Sequence, residues 1–314
     1  MDPETAALRA EALLGQPAVG PAVPLTGGLL NEVFRVPMAG GSVILKRAPP
    51  FVAAAPDIPL DPARAGFEAR ALGLVADLCA AEVGVPRLLA HQGDTLVMED
   101  LGPLPALDDW LRGGGDPERL EALGAFIGRL HRESAAQADL AVGMDNRAVQ
   151  ETRYAVQYGA IRGMLEAAGL GPGPAARAED LGRRLLEPGR CLVMGDLWPR
   201  SVLVAPDRLW LIDWELSHWG QPAQDLGHLA AHLWMLEQRH GVRGAWVAFD
   251  RGYTRARTPT EADRADAAVH LGCEILARTL GPFSAGGPYD GLSIGDPAFD
   301  EAVTVAVAAL REVL

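Results

Sequence analysis

Two carboxylates follow short apolar runs in the stretch Met194-Gly195-Asp196-Leu197-Trp198-Pro199-Arg200-Ser201-Val202-Leu203-Val204 and its continuation Leu211-Ile212-Asp213-Trp214-Glu215. Asp196 lies in a loop after a glycine, and Asp213 directly follows an apolar strand, so a tight hairpin would bring both acids to one end of the same ribbon. Paired carboxylates of this kind suit a magnesium ion and a general base, because hard cations prefer oxygen ligands. Two aspartates that only cap loops are the alternative, although charge beside buried residues is costly unless it is neutralised.

The chain has one lysine, Lys46, among 28 lysine and arginine residues. It ends the apolar run Val43-Ile44-Leu45-Lys46, which follows the turn Ala39-Gly40-Gly41. An ammonium is a compact point charge that suits phosphate oxygens, whereas a guanidinium is a wide planar fork. A surface lysine at a strand edge is the alternative, and this residue alone does not decide between them.

Composition limits the classes of protein that the chain can represent. Its 314 residues, 49% of them hydrophobic, can bury a sizeable core and favour two lobes. A net charge of −13 argues against nucleic acid as a partner. The cysteines Cys79, Cys191 and Cys273 are too far apart for a zinc site or a redox dithiol. The acidic N-terminus and the absence of a long apolar run predict a cytoplasmic protein that does not bind membranes.

The first hundred residues predict a small antiparallel sheet that carries one helix. A short helix covers about residues 4–14, and the runs Val33–Val36 and Ser42–Arg47 form a hairpin. Asp61-Pro62 predicts a helix cap followed by proline at the first helical position. The runs Arg87–His91 and Thr95–Met98 complete the sheet around a glycine turn.

Helical periods dominate after Gly102-Pro103. Long helical segments are predicted over about 120–130 and 147–168, and short strands over 192–194, 202–204 and 209–212. Further helices begin near Gln224, at the capping pattern Thr258-Pro259-Thr260-Glu261, and at Pro297. The predicted fold class is α+β, with a β-rich lobe over residues 1–98, a hinge over 99–102 and a helical lobe over 103–314.

Several motifs occur in a fixed order along the chain: Leu25-Thr26-Gly27-Gly28-Leu29-Leu30-Asn31-Glu32-Val33-Phe34, then Lys46, Glu68, Gly195-Asp196-Leu197 with Ser201, and Ile212-Asp213. In this order the chain resembles the aminoglycoside phosphotransferase and choline kinase superfamily. The resemblance covers roughly Leu25 to His228 and implies a protein-kinase-like fold of two lobes. It also implies transfer of the γ-phosphoryl group of ATP to a hydroxyl of a small molecule, with Mg²⁺, in a monomer or homodimer.

The resemblance implies a role for each matching residue. The Gly27-Gly28 turn, flanked by Thr26 and Asn31, would cover the phosphates of ATP, and Lys46 would contact the α and β phosphates while Glu68 holds it as an ion pair. Asp196 would accept the proton of the acceptor hydroxyl, Asp213 would bind magnesium, and Asp225 would brace the catalytic loop. The backbone around the hinge would bind adenine through Met98, Glu99, Asp100 and Leu101.

Three residues depart from the commonest pattern of the superfamily. Met194 and Trp198 stand where histidines are usual, and Ser201 replaces the asparagine that binds a second magnesium. Glu215 could supply the missing metal ligand, and Ser201 with the Asp213-x-Glu215 pair resembles methylthioribose kinase of the same superfamily. A solvated residue at a loop start is the alternative for Glu215. Met194 and Ser201 also keep open a second function, a pseudokinase that binds nucleotide as a regulatory or scaffold module.

Other polar residues have structural interpretations. His131 is predicted to satisfy backbone carbonyls at a helix end, and a zinc site at His228 and His232 is rejected because no third ligand is in view. The segments 147–168 and 242–288 are predicted to line the acceptor pocket. Four residues there could contact the acceptor or simply pack: Tyr154, Tyr158, Asp250 and Tyr253. A cationic antibiotic would fit the negative net charge of the chain. Its choice as the acceptor, however, rests only on analogy with other proteins of this fold.

Overall fold

The computed structural model describes residues 1–26, 28–284 and 287–311. Within these ranges, no helix is both long and apolar enough to cross a membrane. The first part of the chain contains two helices, α1 (Pro3–Leu14) and α2 (Arg64–Ala76). Its strands are β1 (Val23–Leu25), β2 (Glu32–Met38), β3 (Gly41–Arg47), β4 (Phe51–Val52), β5 (Ala55–Pro59), β6 (Val83–Gly84), β7 (Leu88–Gln92) and β8 (Thr95–Glu99).

A five-stranded antiparallel sheet forms the small lobe, with the strand order β1-β2-β3-β8-β7. Alternate residues of β2 are buried on one face, and α1 covers that face with three alanines. The register places Lys46 between Val33 of β2 and Leu96 of β8, in the centre of the sheet. The predicted sheet with its hairpin is therefore confirmed.

The start of α2 differs from the prediction. The helix begins at Arg64 with Ala63 at its N-cap, and the Asp61 carboxylate accepts the Ala63 amide at 2.9 Å. Asp61 therefore caps the turn that precedes the helix, because Pro62 lies in that turn and not in the first helical turn.

The second part is mainly helical, as predicted. Its helices are α3 (Leu107–Arg112), α4 (Leu120–Ala135), α5 (Arg147–Arg153), α6 (Ile161–Ala167), α7 (Ala175–Arg184), α8 (Pro222–His240), α9 (Ala245–Ala256), α10 (Glu261–Thr279) and α11 (Pro297–Arg311). The predicted segment 147–168 is interrupted by a π turn at Tyr154–Tyr158. The cap of α10 is Thr260, paired with Asp263, two residues after the predicted cap. Helices α4 and α9 pack closely, since a Cβ at Gly124 would meet the Phe249 carbonyl oxygen.

Four short strands carry the loops of the helical part: β9 (Cys191–Val193), β10 (Val202–Val204), β11 (Leu209–Leu211) and β12 (His218–Gly220). Strand β9 pairs with β12, whereas β10 pairs with β11. The hairpin predicted between the two acids is present as β10–β11, and at its open end the Ile212 amide donates to the Ser201 carbonyl at 2.9 Å. The loop of Asp196 and the residue Asp213 therefore lie at one end of this ribbon, as predicted, although Asp196 itself follows β9, which pairs with β12.

The two parts share a hydrophobic core. Leu72 and Val75 of α2 belong to the same buried cluster as Phe126 and Ile127 of α4. Strand β6 also pairs in parallel with β11, across the predicted lobe boundary. The boundaries 1–98, 99–102 and 103–314 remain a prediction, but the two lobes are not separate packing units.

Candidate active site

Lys46 contacts three carboxylates. Its Nζ donates to Glu68 at 3.0 Å, to Asp213 at 2.7 Å and to Glu215 at 2.5 Å. Lys46 is only 3% exposed, so it is not a surface lysine at a strand edge. Although burial disfavours the charged ammonium, the three carboxylates raise the pKa of Lys46 well above its ordinary value. The sheet and the loops of the helical part therefore meet at this ammonium.

The three carboxylates form a compact group with excess negative charge. One oxygen from each of Glu68, Asp213 and Glu215 lies within 4.8 Å of the others. Burial raises the pKa of Glu68 to about 8 against the attraction of Lys46, and the neighbouring acids add to this shift. Glu215 is 3% exposed, which rules out a solvated loop residue; burial disfavours its charge, yet Lys46 holds its pKa below the ordinary value. An all-oxygen donor set of this charge fits a hard divalent cation.

The backbone at Asp213 places its carboxylate in this group. Asp213 follows β11 with a φ of 64°, in the left-handed region that aspartate tolerates better than most residues. Its side chain is 43% exposed to the cleft, whereas Lys46 and Glu215 lie beneath it at 4%. The arrangement leaves Asp213 open to a ligand.

The structure does not bring Ser201 to the carboxylate group. Its hydroxyl donates to the Trp198 carbonyl at 2.7 Å and accepts the Trp198 amide at 3.2 Å. The side chain is fully buried in its own loop. Ser201 therefore closes the turn that displays Trp198.

The loop between β1 and β2 reaches the same group through Asn31. The Asn31 amide donates to Glu215, and its carbonyl oxygen accepts from Arg64 at 3.1 Å. Thr26, Gly28 and Asn31 line the cleft, and Gly27 lies outside the described residues. The loop is thus fastened to the helical part by one asparagine.

The predicted hinge residues Met98, Glu99, Asp100 and Leu101 line the cleft beside this loop. The Asp100 carboxylate is turned toward the sheet, where it accepts two bonds from Arg35 and one from Ser42. These bonds hold its pKa below the ordinary value against the effect of burial. The side chain of Asp100 is thereby occupied by contacts to the sheet.

The loop of Asp196 is held from below by Asp225. The Asp225 carboxylate accepts the amides of Met194 at 2.9 Å and Gly195 at 2.8 Å, and it contacts His131 at 3.0 Å. This is the bracing predicted for Asp225. Met194 is fully buried, so its side chain fills volume in the core. His131 bonds to Asp225 and to the Tyr253 hydroxyl, and the prediction that it satisfies backbone carbonyls is wrong.

Asp196 has a partner that the sequence did not reveal. The Arg153 guanidinium donates to Asp196 Oδ1 at 2.8 Å, and its other end donates to the Gly195 carbonyl and contacts His228. Arg153 lies 43 residues earlier, at the end of α5. No local motif could have signalled this contact, because it depends on the way α5 packs against the loop.

One cavity of about 630 Å³ contains these groups. Asp196, Asp213, Glu215 and Lys46 all line it, as do the loop after β1 and the hinge segment. The predicted segments 147–168 and 242–288 contribute Arg153 and Gln157, and Glu274, Arg278 and Phe283, respectively. The four residues suggested for acceptor contact lie elsewhere: Tyr154, Tyr158, Asp250 and Tyr253.

The histidines of the helical part are structural. His228 contacts Arg153 and the Tyr158 hydroxyl, and His232 contacts Glu274 at 3.0 Å. Burial lowers the pKa of His228 to about 4, so this ring is neutral. Among the described residues, no group of three clustered metal-ligating side chains includes a histidine.

The chain is similar to proteins named as kinases and phosphotransferases. The chain is 27% identical over 251 residues to a 4-hydroxytryptamine kinase of Psilocybe cyanescens, which covers 68% of the chain and 67% of that protein. A candidate fructosamine-3-kinase of Thermobifida fusca YX-ER1 has a TM-score of 0.62 and 21% identity over 98% of this chain and 99% of that chain. A spectinomycin phosphotransferase in complex with ADP and spectinomycin has a TM-score of 0.59 and 13% identity over 98% of both chains.

Because their sequence identities are low, the structural neighbours show the fold alone. It is the kinase-like fold that the sequence predicts. The family assignment comes from the sequence itself, because residues 21–259 match the model of the phosphotransferase enzyme family. This match includes the loop after β1, the lysine, both acidic loops and the bracing aspartate. The chain therefore belongs to the phosphotransferase enzyme family, and it is a small-molecule kinase whose acceptor group is a hydroxyl.

Proposed function

We propose that the chain transfers the γ-phosphoryl group of ATP to a hydroxyl of a small acceptor, with Asp196 as the base and Mg²⁺ held by Asp213 and Glu215. The observation that carries this proposal is the contact of Lys46 with Asp213 and Glu215 beside Asp196 in one cleft. An ammonium on one lobe and acids on the other are the parts that a bound triphosphate and its metal require.

The charges of the carboxylate group support the metal assignment. When all three carboxylates are ionised, they and the one ammonium have a formal charge of −2, which a divalent cation would neutralise. Binding of the cation would then release the proton that Glu68, with its pKa of about 8, otherwise keeps. When bound, Mg²⁺ would neutralise charge on the phosphate oxygens and polarise the transferred group. Ser201 keeps the loop in shape and is left out of this ligand set, because its hydroxyl already bonds to its own loop.

The other residues of the cleft are assigned roles in binding ATP. Lys46 stabilises negative charge on the phosphates, and Glu68 keeps the ammonium in place from below. Thr26, Gly28 and Asn31 cover the phosphates together with Gly27, and the backbone of Met98–Leu101 binds adenine. The residues 99–102 then act as the hinge between the β-rich lobe 1–98 and the helical lobe 103–314.

Asp196 is oriented for proton transfer by Arg153. The guanidinium occupies Oδ1, and no described residue hydrogen-bonds to Oδ2. We therefore assign Oδ2 as the atom that accepts the hydroxyl proton when the acceptor oxygen bonds to the γ phosphorus. The fixed carboxylate contributes mainly by aligning the hydroxyl, since phosphoryl transfer depends chiefly on positioning and electrostatics.

The relatives suggest the first acceptors to test. The Psilocybe protein is named for 4-hydroxytryptamine, and the structural neighbour binds spectinomycin. A panel that contains both compounds, amino alcohols and sugars covers the range. The cytoplasm, where ATP is abundant, is the proposed compartment, and the chain is proposed to act as a monomer or homodimer.

The test measures ADP release with Mg²⁺ and the acceptor panel. We expect Lys46→Met and Asp196→Asn each to lower acceptor-dependent turnover by about 10³-fold or more, because both side chains act in the transfer itself. Asp266→Asn is the matched control, since Asp266 pairs with Arg184 on the surface, and it should retain wild-type turnover. Full turnover in Asp196→Asn would contradict the proposal, and ATP binding without transfer to any acceptor would favour the pseudokinase.

A further inference from the structure

One wall of the cleft, which begins two residues after Asp196, has a guanidinium lying over two aromatic rings. The Arg278 guanidinium carbon lies 5.0 Å from the centre of the Trp198 ring and 5.8 Å from that of Phe283. All three side chains line the cavity that contains Asp196. We call Trp198, Arg278 and Phe283 the π wall. Planar guanidinium and aromatic surfaces of this kind bind other flat groups by stacking.

The two acids that line the cavity beside the π wall, Glu274 and Asp196, already have cationic partners. Glu274, which is 6% exposed, accepts from Arg278 at 2.8 Å, from Gln157 at 2.5 Å and from His232 at 3.0 Å. Asp196 accepts from Arg153 at 2.8 Å. Arg200, which also lines the cavity, pairs with Asp108. Each acid on this side therefore has an arginine partner, in contrast to the excess of negative charge around Lys46.

A polycationic acceptor would find no unpaired carboxylate among these residues, and it would place its ammonium groups beside Arg153 and Arg278. A flat and nearly neutral molecule would instead bury its rings against the π wall without breaking an ion pair. The apolar residue Val156, which lies between Arg153 and Gln157 in the π turn and also lines the cavity, favours the same choice.

We propose that the acceptor is a flat aromatic alcohol with at most one positive charge, bound against the π wall with its hydroxyl toward Asp196. This inference rests on the proposed function. In the reaction, the bond from the phenolic oxygen to the γ phosphorus forms as the bond from that phosphorus to the bridging oxygen breaks. ADP leaves, and the phenolic proton passes to Asp196.

The first experiment compares acceptors at fixed ATP and Mg²⁺ with the unmodified 314-residue chain. The probes are 5-hydroxyindole, which is neutral, tyramine, which has one amine, and kanamycin, which is polycationic. We expect kcat/KM for the better aromatic probe to exceed that for kanamycin at least roughly tenfold. A higher value for kanamycin, or ADP release with kanamycin alone, would overturn the inference.

The second experiment alters the π wall. Trp198→Leu should raise KM for 5-hydroxyindole about tenfold through the loss of stacking, while KM for ATP stays unchanged. Trp210→Leu is the matched control, because Trp210 also carries a guanidinium, that of Arg208, at 5.1 Å but lies outside the cavity. An equal effect of both variants on 5-hydroxyindole would contradict a role for the π wall.

Arg278→Met provides a test that does not depend on loss of activity. The substitution leaves Glu274 without its guanidinium, so the compartment becomes more negative. We expect the ratio of kcat/KM for tyramine to that for 5-hydroxyindole to rise roughly tenfold. An unchanged ratio would show that the charge of this compartment does not select the acceptor.

Failure of this inference is distinguishable from failure of the proposed function. If an aliphatic alcohol or sugar is phosphorylated in an Asp196-dependent way and the aromatic probes are not, the kinase assignment stands and the acceptor class is wrong. Equilibrium dialysis in the presence of Mg²⁺ and a non-hydrolysable ATP analogue settles the case without turnover. Binding of 5-hydroxyindole in preference to kanamycin supports the inference, and the absence of binding by both aromatic probes overturns it.

Discussion

Arg153 contacts the loop of Asp196 at both ends of its guanidinium. One end donates to the Asp196 carboxylate and the other to the Gly195 carbonyl, and the side chain is 8% exposed. A guanidinium held at two points fixes the carboxylate more narrowly than a flexible ammonium would. Under the proposed function Arg153 is therefore a positioning residue for the base Asp196, and its loss should be visible in catalysis before it is visible in nucleotide binding.

Arg153→Gln should lower kcat by about tenfold to hundredfold while KM for ATP changes less than about twofold, because a misaligned base slows transfer but leaves the phosphate contacts intact. The measurement is steady-state kinetics with the best acceptor of the panel. Arg147→Gln, on the same helix but in an exposed pair with Glu151, is the control. An unchanged kcat in Arg153→Gln would contradict the claim that Arg153 positions Asp196.

His218 predicts a pH dependence of stability. Burial lowers its pKa to about 4 from an ordinary value of 6.5, so the unfolded chain takes up a proton before the folded chain does. The stability is complete above pH 6.5 and falls as the pH approaches 4. Between pH 7 and pH 5, His218→Leu should lose less unfolding free energy than the wild type, by on the order of 1 to 2 kcal/mol.

Urea denaturation at the two pH values measures this difference. His91→Leu is the control, because His91 is exposed on β7 and its replacement should leave the pH dependence as it is in the wild type. If His218→Leu and the wild type lose equal stability between pH 7 and pH 5, His218 is not the group responsible.

Helix α2 positions the cleft with two side chains one turn apart. Glu68 holds Lys46, and Arg64, which is fully buried, donates to the Leu30 carbonyl and to Asn31. Asn31 in turn donates to Glu215. A single helix thus fixes both the ammonium and the end of the loop that is proposed to cover the phosphates. Any shift of α2 would move both together.

Arg64→Lys should raise KM for ATP roughly tenfold with a smaller change in kcat, because an ammonium cannot span the several carbonyls that the planar fork reaches. Nucleotide titration and kinetics measure the two quantities. Arg70→Lys, on the exposed side of the same helix, should behave as the wild type. A fall in kcat alone would place Arg64 in the transfer step and contradict a role in holding the loop.

Helices and strands were predictable from the sequence where one local property, such as a single buried face, determines the residue pattern. The alternation in β2 and β3 follows from one buried face, and it gave the hairpin that contains Lys46. The cap at Asp61 and the continuous helix over 147–168 were wrong, because a proline turn and a π turn depend on packing outside the segment. The same reason applies to the site: Asp196 and Asp213 stand in motifs, whereas the contacts of Arg153 and the hydrogen bonds that hold the Ser201 hydroxyl in its own loop arise only in the folded chain.

The whole molecule has a core that runs across its two lobes. Leu72 of α2 is 2% exposed and packs in the same cluster as the helices of the large lobe. The cleft therefore lies between parts that are continuous below it, and the pairing of β6 with β11 joins them a second time. A molecule with one shared core is expected to unfold in a single transition, whereas a chain of independent domains unfolds in several.

Urea unfolding of the full chain should show one transition when it is followed by tryptophan fluorescence and by far-ultraviolet circular dichroism. Leu72→Ala should lower the free energy of unfolding by about 2 to 5 kcal/mol and shift both signals together. Leu8→Ala, at an exposed position of α1, should shift neither. Two separate transitions, or a shift of one signal alone, would show that the lobes fold independently.

The central claim is that one cleft holds Mg²⁺ and ATP between Lys46 and the acids of the helical lobe. A crystal structure of the chain with Mg²⁺ and a non-hydrolysable ATP analogue tests it most directly. We predict the phosphates beside Lys46, the metal on Asp213 and Glu215, and adenine at the backbone of Met98–Leu101. A nucleotide bound outside this cleft, or a metal that does not contact Asp213, would contradict the account.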